Sequence, residues 1–293
     1  AVQAWQRQQG AALAKATTEV LAPQYQRWLK DLSASVARVE FPALKLDYTT
    51  LFPNLQAFQA DVWKPVLPSL QLVQDVQREQ FAKVIAAARR AVEAALPPNW
   101  RDENISLPKN LEVLLLDEGL PLAWVPPAAV VARLFSAACA SDRRRIIGAR
   151  WKMITRACID ELDKLQDPSV KRHARFAERA ADALLSGSHE ASQALSANLL
   201  DSILRAEFSA TDRKSITSRH ARLNMEDYPL RVAIVLGGIW GAHGEFWPDK
   251  GDKIPRTYSR HGSAHGVSPR QYSRINAVLA LMHVVSLLRL IEV

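Results

Sequence analysis

The stretch AERAADALLSGSHEASQALSANLLDSILR, residues 177–205, decides the fold, because it has the pattern of two helices joined by a short turn. Its first half continues an apolar stripe at helical spacing, which consists of Val170, Ala174, Ala177, Ala181 and Leu184. Gly187 then ends this helix and Ser188 is placed to cap the next one. In the second half, Ala191, Leu195 and Leu199 share a face. Two helices joined this closely predict a helical bundle.

The neighbouring sequence predicts more helices. Asp142 is placed to cap a helix with an apolar face at spacings of three and four, formed by Ile147, Trp151, Ile154, Cys158 and Leu162. Asp167 and Pro168 begin the helix that leads into the quoted stretch. Residues 230–242 predict a buried helix, although their glycines and β-branched residues would also suit a strand. Residues 268–271, SPRQ, form a capping box with proline at the first position of the last helix. The sequence therefore predicts an all-α protein.

The first hundred residues predict a separate helical region. Two long segments, 2–39 and 67–96, have helical patterns, and several prolines interrupt the stretch between them. An antiparallel hairpin or a coiled coil is the simplest arrangement, with a role in dimerisation or sensing. Pro97 and Pro98 and the polar segment that follows place a domain boundary near residue 100. We expect domains at 1–100 and 101–293.

Composition and charge restrict the class of protein. Apolar residues make up 48% of the 293 residues and charged residues 23%, which is typical of a globular protein. The two cysteines, Cys139 and Cys158, form no CxxC pair and favour the cytoplasm. The apolar runs 230–242 and 277–288 are shorter than the roughly 20 residues of a membrane span, so we expect no membrane segment. The net charge of +8 favours a polyanionic partner such as nucleic acid.

The basic excess is concentrated around the stretch RTYSRHGSAHGVSPRQY, residues 256–272. Arg260 can contact a phosphate with two N–H groups, and His265 can give or take a proton near neutral pH. If the segment is helical, His261 and His265 lie on one face. Two histidines and an arginine are sufficient for metal-free cleavage of a phosphodiester, by removing a 2′-hydroxyl proton, protonating the leaving 5′-oxygen and stabilising the charged phosphorus. The candidate RNA-binding residues are Lys253, Arg256, Arg270 and Arg274.

Residues 260–265, RHGSAH, resemble the RxxxxH motif of the HEPN superfamily, whose helical domains occur in many prokaryotic toxin, abortive-infection and CRISPR-associated ribonucleases. Residues 177–205 look like the first helix pair of that family. The resemblance covers roughly residues 165–293. It implies a HEPN-like helical bundle and an endoribonuclease that needs no metal and leaves 2′,3′-cyclic phosphate and 5′-hydroxyl ends.

The resemblance also implies roles for individual residues. His265 would be the general base or acid, Arg260 the ligand of the phosphate and transition state, and His261 the residue that orients them. Asp201 matches the acidic residue of the family's second helix, where glutamate is more common. Because the chain holds one such set, the resemblance implies a homodimer with a composite site. RNA, with tRNA among the candidates, is the expected substrate, and an antitoxin or regulatory protein is a further expected partner.

Other readings of the same residues stay open. The protein could be a non-catalytic HEPN-type module that binds RNA, nucleotide or a partner protein, or an assembly protein with a basic surface. Asp201 and Arg205 could form an exposed polar stripe, and Arg260 could pair with Asp249 or Asp252. His283 fits a core position, and a core position is the better assignment for Trp240 and Trp247. The spacing of histidines, cysteines and acidic residues predicts no metal site, and we expect no cofactor.

Overall fold

A computed structural model describes residues 96–101, 105, 108, 110–220 and 222–292. The predicted hairpin or coiled coil within residues 1–100 lies almost wholly outside the described residues. Residues 98–225 and 231–293 group into one compact unit, which contains the whole of the motif at residues 260–265.

Most of the described residues are helical and none of them belongs to a β-strand, which confirms the predicted all-α character. The α-helices are α1 (Ala128–Ser136), α2 (Ala140–Leu162), α3 (Pro168–Leu185), α4 (His189–Glu207), α5 (Ala210–Thr217), α6 (Leu230–Ala242), α7 (Arg260–His265) and α8 (Arg274–Glu292). A π-helical turn covers Val113–Asp117, and short 3₁₀ helices cover Pro98–Trp100, Met225–Asp227 and Pro248–Lys250. The prediction of a helix over residues 230–242 is therefore confirmed.

The centre of the unit is α8, which packs against α2, α3 and α4. Every residue of α8 from Asn276 to Leu288 is buried. The length and apolar character of α8 would also allow it to cross a membrane, but 72% of its most apolar window is buried inside this structure. Burial against three helices explains why the apolar residues of α8 are not confined to one face.

The turn between α3 and α4 follows the sequence prediction. Asp167 caps α3, and its side chain accepts a hydrogen bond of 2.7 Å from the Ser169 backbone N–H. All five residues of the predicted α3 stripe are buried. Gly187 has a φ of +95°, the left-handed conformation that glycine adopts without strain at a helix end. The short turn brings α4 back against α3.

Two predicted details of the helices are wrong. Asp142 lies in the first turn of α2 and Cys139 is the capping position. In α4, Ala191 is exposed and Leu195 is half-buried, whereas the buried positions include Ser192, Gln193 and Ser196. The reason is that α3, α7 and α8 all pack against α4 and enclose small and polar residues. A pattern of apolar residues alone does not predict which face is covered by such neighbours.

Candidate functional site

The motif RHGSAH forms a short helix of its own, α7, which packs against α4. The Ser259 side chain caps α7 by accepting a hydrogen bond of 3.0 Å from the Gly262 N–H. The Ser259 carbonyl accepts a second bond, of 2.9 Å, from the Ser263 N–H. The segment is therefore helical, which is the condition under which His261 and His265 were expected to share a face.

The last helix begins later than its sequence predicts. Ser268 caps an isolated turn, with a bond of 3.3 Å from the Gln271 N–H to its side chain. The helix α8 starts at Arg274, and the Ser273 side chain accepts a bond from the Asn276 N–H at its N-terminus. The prediction that the capping box at residues 268–271 begins the last helix is therefore wrong. The physical reason is that the Gln271 side chain forms hydrogen bonds with the motif loop.

Gln271 is fully buried and holds the loop that leads into α7. Its Oε1 accepts the Ser259 N–H at 3.0 Å, and its Nε2 donates to the carbonyls of Pro255 and Thr257 at 3.1 and 3.0 Å. Gly262 lies so close that an added Cβ would be 3.3 Å from the Gln271 amide. Glycine at this position therefore lets α7 approach Gln271.

The middle of α7 is fixed by three more buried hydrogen bonds. Gln193 of α4 donates from Nε2 to the Ser263 hydroxyl at 2.8 Å, and that hydroxyl donates to the Ser259 carbonyl at 2.8 Å. The Tyr272 hydroxyl donates to the Ser263 carbonyl at 2.5 Å. These bonds are neutral and buried, so they set the position of α7 on α4.

The N-terminus of α7 is joined to α4 by charge. The Arg260 guanidinium lies 3.1 Å from the Asp201 carboxylate, and the two side chains are 17% and 22% exposed. The same carboxylate oxygen accepts a bond of 2.8 Å from Arg205, which is 64% exposed. Asp201 therefore contacts the arginine of the motif, although its side chain is shorter than that of glutamate. The alternative pairing of Arg260 with Asp249 or Asp252 is not the one seen.

Three histidine rings lie in a row beside this ion pair. His261 and His265 are stacked, with ring centroids 5.9 Å apart and an angle of 23° between the planes. His243, which follows the end of α6, contacts His261 edge-to-face at 6.2 Å and 84°. His265 is exposed, His261 is half-buried and His243 is buried. The row therefore leads from the surface into the core.

Burial and charge set the protonation of these groups. Burial opposes ionisation of Asp201, but hydrogen bonding from Arg205 and the charge of Arg260 together lower the pKa of its carboxyl. Burial, with the nearby charges of Arg260 and His265, lowers the pKa of His261. Burial lowers the pKa of His243 to about 4, partly offset by the hydrogen bond to the Ile239 carbonyl. Asp201 is therefore ionised at pH 7, whereas His243 and His261 favour the neutral form.

The four predicted RNA-binding residues are all exposed. The guanidinium of Arg274 lies 5.1 Å from the ring centroid of Trp151 on α2. The backbone carbonyl of Arg256 accepts a hydrogen bond from Asn276, which fixes the loop but leaves its guanidinium at the surface. Lys253 precedes the motif and Arg270 follows it in the chain, so the exposed cations lie on both sides of α7 in sequence.

The aromatic residues beside the motif differ in burial. Trp240 is buried, with the guanidinium carbon of Arg219 3.8 Å from its ring centroid. Trp247 is 44% exposed, and Lys250 lies over its ring at 4.8 Å, so the assignment of Trp247 to the core is wrong. His283 is buried and bonded to the Gly119 carbonyl at 3.0 Å, as expected for a core histidine.

Three residues of this site carry no functional signal in the sequence. His243 lies 18 residues before His261 in the chain, and nothing in that spacing indicates contact. Gln193 and Gln271 gave no chemical signal, because a buried glutamine is recognised only by its partners. Within the described ranges, no group of three or more histidines, cysteines and acidic residues could hold a metal ion.

In comparisons with known proteins, no family model, curated protein or solved structure matches this chain.

Proposed function

We propose that the protein is a metal-independent endoribonuclease of HEPN type, acting as a toxin or anti-phage defence effector on RNA. The observation that carries the proposal is the convergence of the Arg260–Asp201 ion pair with the stacked rings of His261 and His265. These residues come from α4 and α7, 59 or more positions apart in the chain. The helical bundle of residues 165–293 is the proposed HEPN-like domain.

The proposed reaction uses the 2′-hydroxyl of RNA as the nucleophile. A neutral histidine accepts the 2′-hydroxyl proton while the 2′-oxygen bonds to phosphorus, and a protonated histidine donates a proton to the leaving 5′-oxygen. Arg260 stabilises the negative charge on the phosphoryl oxygens, and Asp201 holds its guanidinium in place. The products are a 2′,3′-cyclic phosphate and a 5′-hydroxyl end.

The proposed active unit is a homodimer. Because one chain contributes a single Arg260–His265 set, two copies related by a two-fold axis would bring two sets to one phosphate. The exposed position of His265 supports this, since its ring is accessible to a second copy. Light scattering should give twice the mass of one chain, and a strictly monomeric active enzyme would contradict the composite site.

The test is to incubate the purified protein with tRNA and total RNA in the presence of EDTA. We expect cleavage products with cyclic phosphate ends, and we expect His265→Ala to reduce the rate by a factor of about 100 or more. Because His265 is exposed, this variant should fold normally, which thermal unfolding checks. If the wild type cleaves the RNA no more than His265→Ala does, the proposed nuclease activity is ruled out.

A second candidate is a non-catalytic module that binds RNA or another anion. It is favoured by one observation, that the Arg260 guanidinium is already paired with Asp201. In this case binding to a labelled RNA should weaken steeply with salt and survive His265→Ala unchanged. Cleavage by the wild type excludes this candidate.

A further inference from the structure

The buried ring of His243 has a fixed tautomer. Its Nδ1 lies 2.7 Å from the Ile239 carbonyl oxygen, and because a carbonyl only accepts, Nδ1 carries the proton. Burial keeps the ring neutral at pH 7, with a pKa of about 4. The second nitrogen, Nε2, is therefore a lone-pair acceptor. It is buried and has no hydrogen-bond partner among the residues that the structure describes, which is unfavourable in a protein interior.

The groups around His243 differ in what they could offer this acceptor. Asp201 of α4 is an ionised carboxylate and cannot donate, and Arg260 of α7 directs one N–H group at Asp201. His283 of α8 uses its Nε2 on the Gly119 carbonyl. The ring that directly contacts His243 is His261, whose own charge is also influenced by His265 and Glu245.

The contact between His243 and His261 is slightly too long for a direct hydrogen bond. An N–H···N bond between two imidazoles requires ring centroids about 5 Å apart, and the observed separation is 6.2 Å. A movement of the half-buried His261 ring by about 1 Å toward His243, with a rotation that points one of its N–H groups at Nε2, would form the bond. Side-chain hydrogen bonds of active sites are often long before the substrate is bound.

We propose that His243 is a positioning residue, whose Nε2 accepts the ring N–H of His261 when a phosphate group is bound. The inference rests on the proposed ribonuclease function and deepens it. With one nitrogen bonded to His243, the neutral His261 presents its other nitrogen as the acceptor for the 2′-hydroxyl proton. The proton leaves the 2′-oxygen for His261 as the bond from that oxygen to phosphorus forms. The bond from phosphorus to the 5′-oxygen breaks, and His265 supplies the proton to that oxygen.

Two substitutions separate the two nitrogens of His243. The amide of His243→Gln can present an oxygen close to the position of Nε2, so this variant keeps the acceptor. The amide of His243→Asn can donate to the Ile239 carbonyl as Nδ1 does, but it places no acceptor at the Nε2 position. We expect His243→Gln to keep kcat within about threefold and His243→Asn to lower it about tenfold or more, with KM little changed in both.

Activity alone does not decide the proposal, so the imidazole nitrogens are measured directly. The chain has seven histidines, few enough to assign each ring by substitution in ¹⁵N-histidine NMR spectra. On titration with inorganic phosphate, we expect the His243 Nε2 resonance to shift as an acceptor forms a hydrogen bond. The response of His261 should persist in His243→Gln and disappear in His243→Asn. Thermal unfolding of both variants checks that they fold.

Two results would overturn the proposal. One is a His243 Nε2 resonance that stays that of an unbonded acceptor up to 100 mM phosphate, a concentration chosen to be about saturating for a weak anion site. The other is equal loss of activity in the two variants, which would make His243 a packing residue. RNA that stays uncleaved by the wild type while the Nε2 resonance responds would instead contradict the nuclease and leave the hydrogen bond standing.

Discussion

The contact between α4 and α7 is held by different means at its two ends, a neutral end at Gln193 and a charged end at Asp201. Near the N-terminus of α4, Gln193 bonds to Ser263 within a neutral, buried network that includes Gln271. About two turns further on, Asp201 holds Arg260 by charge, in a position that water can partly reach. One α-helix thus provides a neutral attachment and a charged attachment for the same short motif.

The two kinds of contact have different roles: the neutral hydrogen bonds fix the position of α7, and the ion pair affects the chemistry of the site. Neutral hydrogen bonds in the interior fix a geometry strongly, because breaking one leaves a buried polar group without a partner. A partly exposed ion pair is weaker, and an incoming phosphate can compete with Asp201 for the guanidinium. We therefore expect changes at the neutral end to reduce stability and changes at the charged end to affect RNA chemistry more than stability.

The largest effect on stability is expected at the neutral end, from Gln271→Leu. This change leaves the Ser259 N–H and the carbonyls of Pro255 and Thr257 without their partner. We expect the free energy of unfolding to fall by about 3 kcal/mol, measured by urea denaturation with circular dichroism. The exposed neighbour Arg270 provides the control, since Arg270→Ala should change stability by less than about 0.5 kcal/mol. If Gln271→Leu and Arg270→Ala were equally stable, the buried hydrogen bonds at the neutral end would not contribute to stability as proposed.

The next loss of stability is expected when the pH is lowered, because His243 titrates beside the charged end. His243 has a folded pKa of about 4, below the ordinary value of 6.5, so the unfolded chain binds its proton first as the pH falls. Stability is therefore full above pH 6.5 and decreases toward pH 4, by roughly 3 kcal/mol for this histidine. Buried His283, with a pKa of about 3, adds to the same slope.

Urea denaturation at pH 7 and at pH 4.5 measures this slope. His243→Gln cannot titrate, so it should lose less stability between the two pH values than the wild type. The same slope in both proteins would show that His243 is protonated in the folded state at pH 4.5.

Much of the architecture could be predicted from local sequence. The apolar stripe of α3, the cap at Asp167 and the glycine turn at Gly187 are local features, and the structure has all three. The i, i+4 spacing of His261 and His265 likewise predicted their shared face once α7 was helical. Local sequence is informative here because helices depend on contacts within four residues.

The rest of the site depends on contacts distant in sequence. Gln271 fits a capping box, but its amide instead bonds to three backbone groups of the motif loop, and no local pattern reveals that competition. His243 reaches the row of rings only because α6 ends beside α7. The sequence of α4 does not predict its buried polar face, because Ser192 and Gln193 are covered by helices from other parts of the chain.

A smaller change of stability is expected from Asp201→Asn at the charged end. It removes the carboxylate that faces the largely buried Arg260, so we expect a loss of about 1–2 kcal/mol at pH 7. In the wild type this stabilisation is present above the ordinary carboxyl pKa of 3.8 and is lost as the pH falls through the lower folded pKa. The variant should lack that acid-dependent part. The exposed Asp182 on α3 gives a control, and an equal loss in Asp182→Asn would contradict the prediction.

The smallest change is expected from Arg205→Ala, which removes the other cation that contacts Asp201. The Arg205 side chain is 64% exposed and its bond to Asp201 joins residues four apart on one helix, a kind of pair that contributes little in water. We expect no measurable change in the free energy of unfolding, and we expect the rate of RNA cleavage to change by less than about threefold. Arg260→Ala is the matched comparison, because it removes the largely buried partner of the same carboxylate and should reduce cleavage by about 100-fold. If Arg205→Ala and Arg260→Ala reduced cleavage equally, the prediction would be wrong. Asp201 would then not position Arg260 in particular for the phosphate.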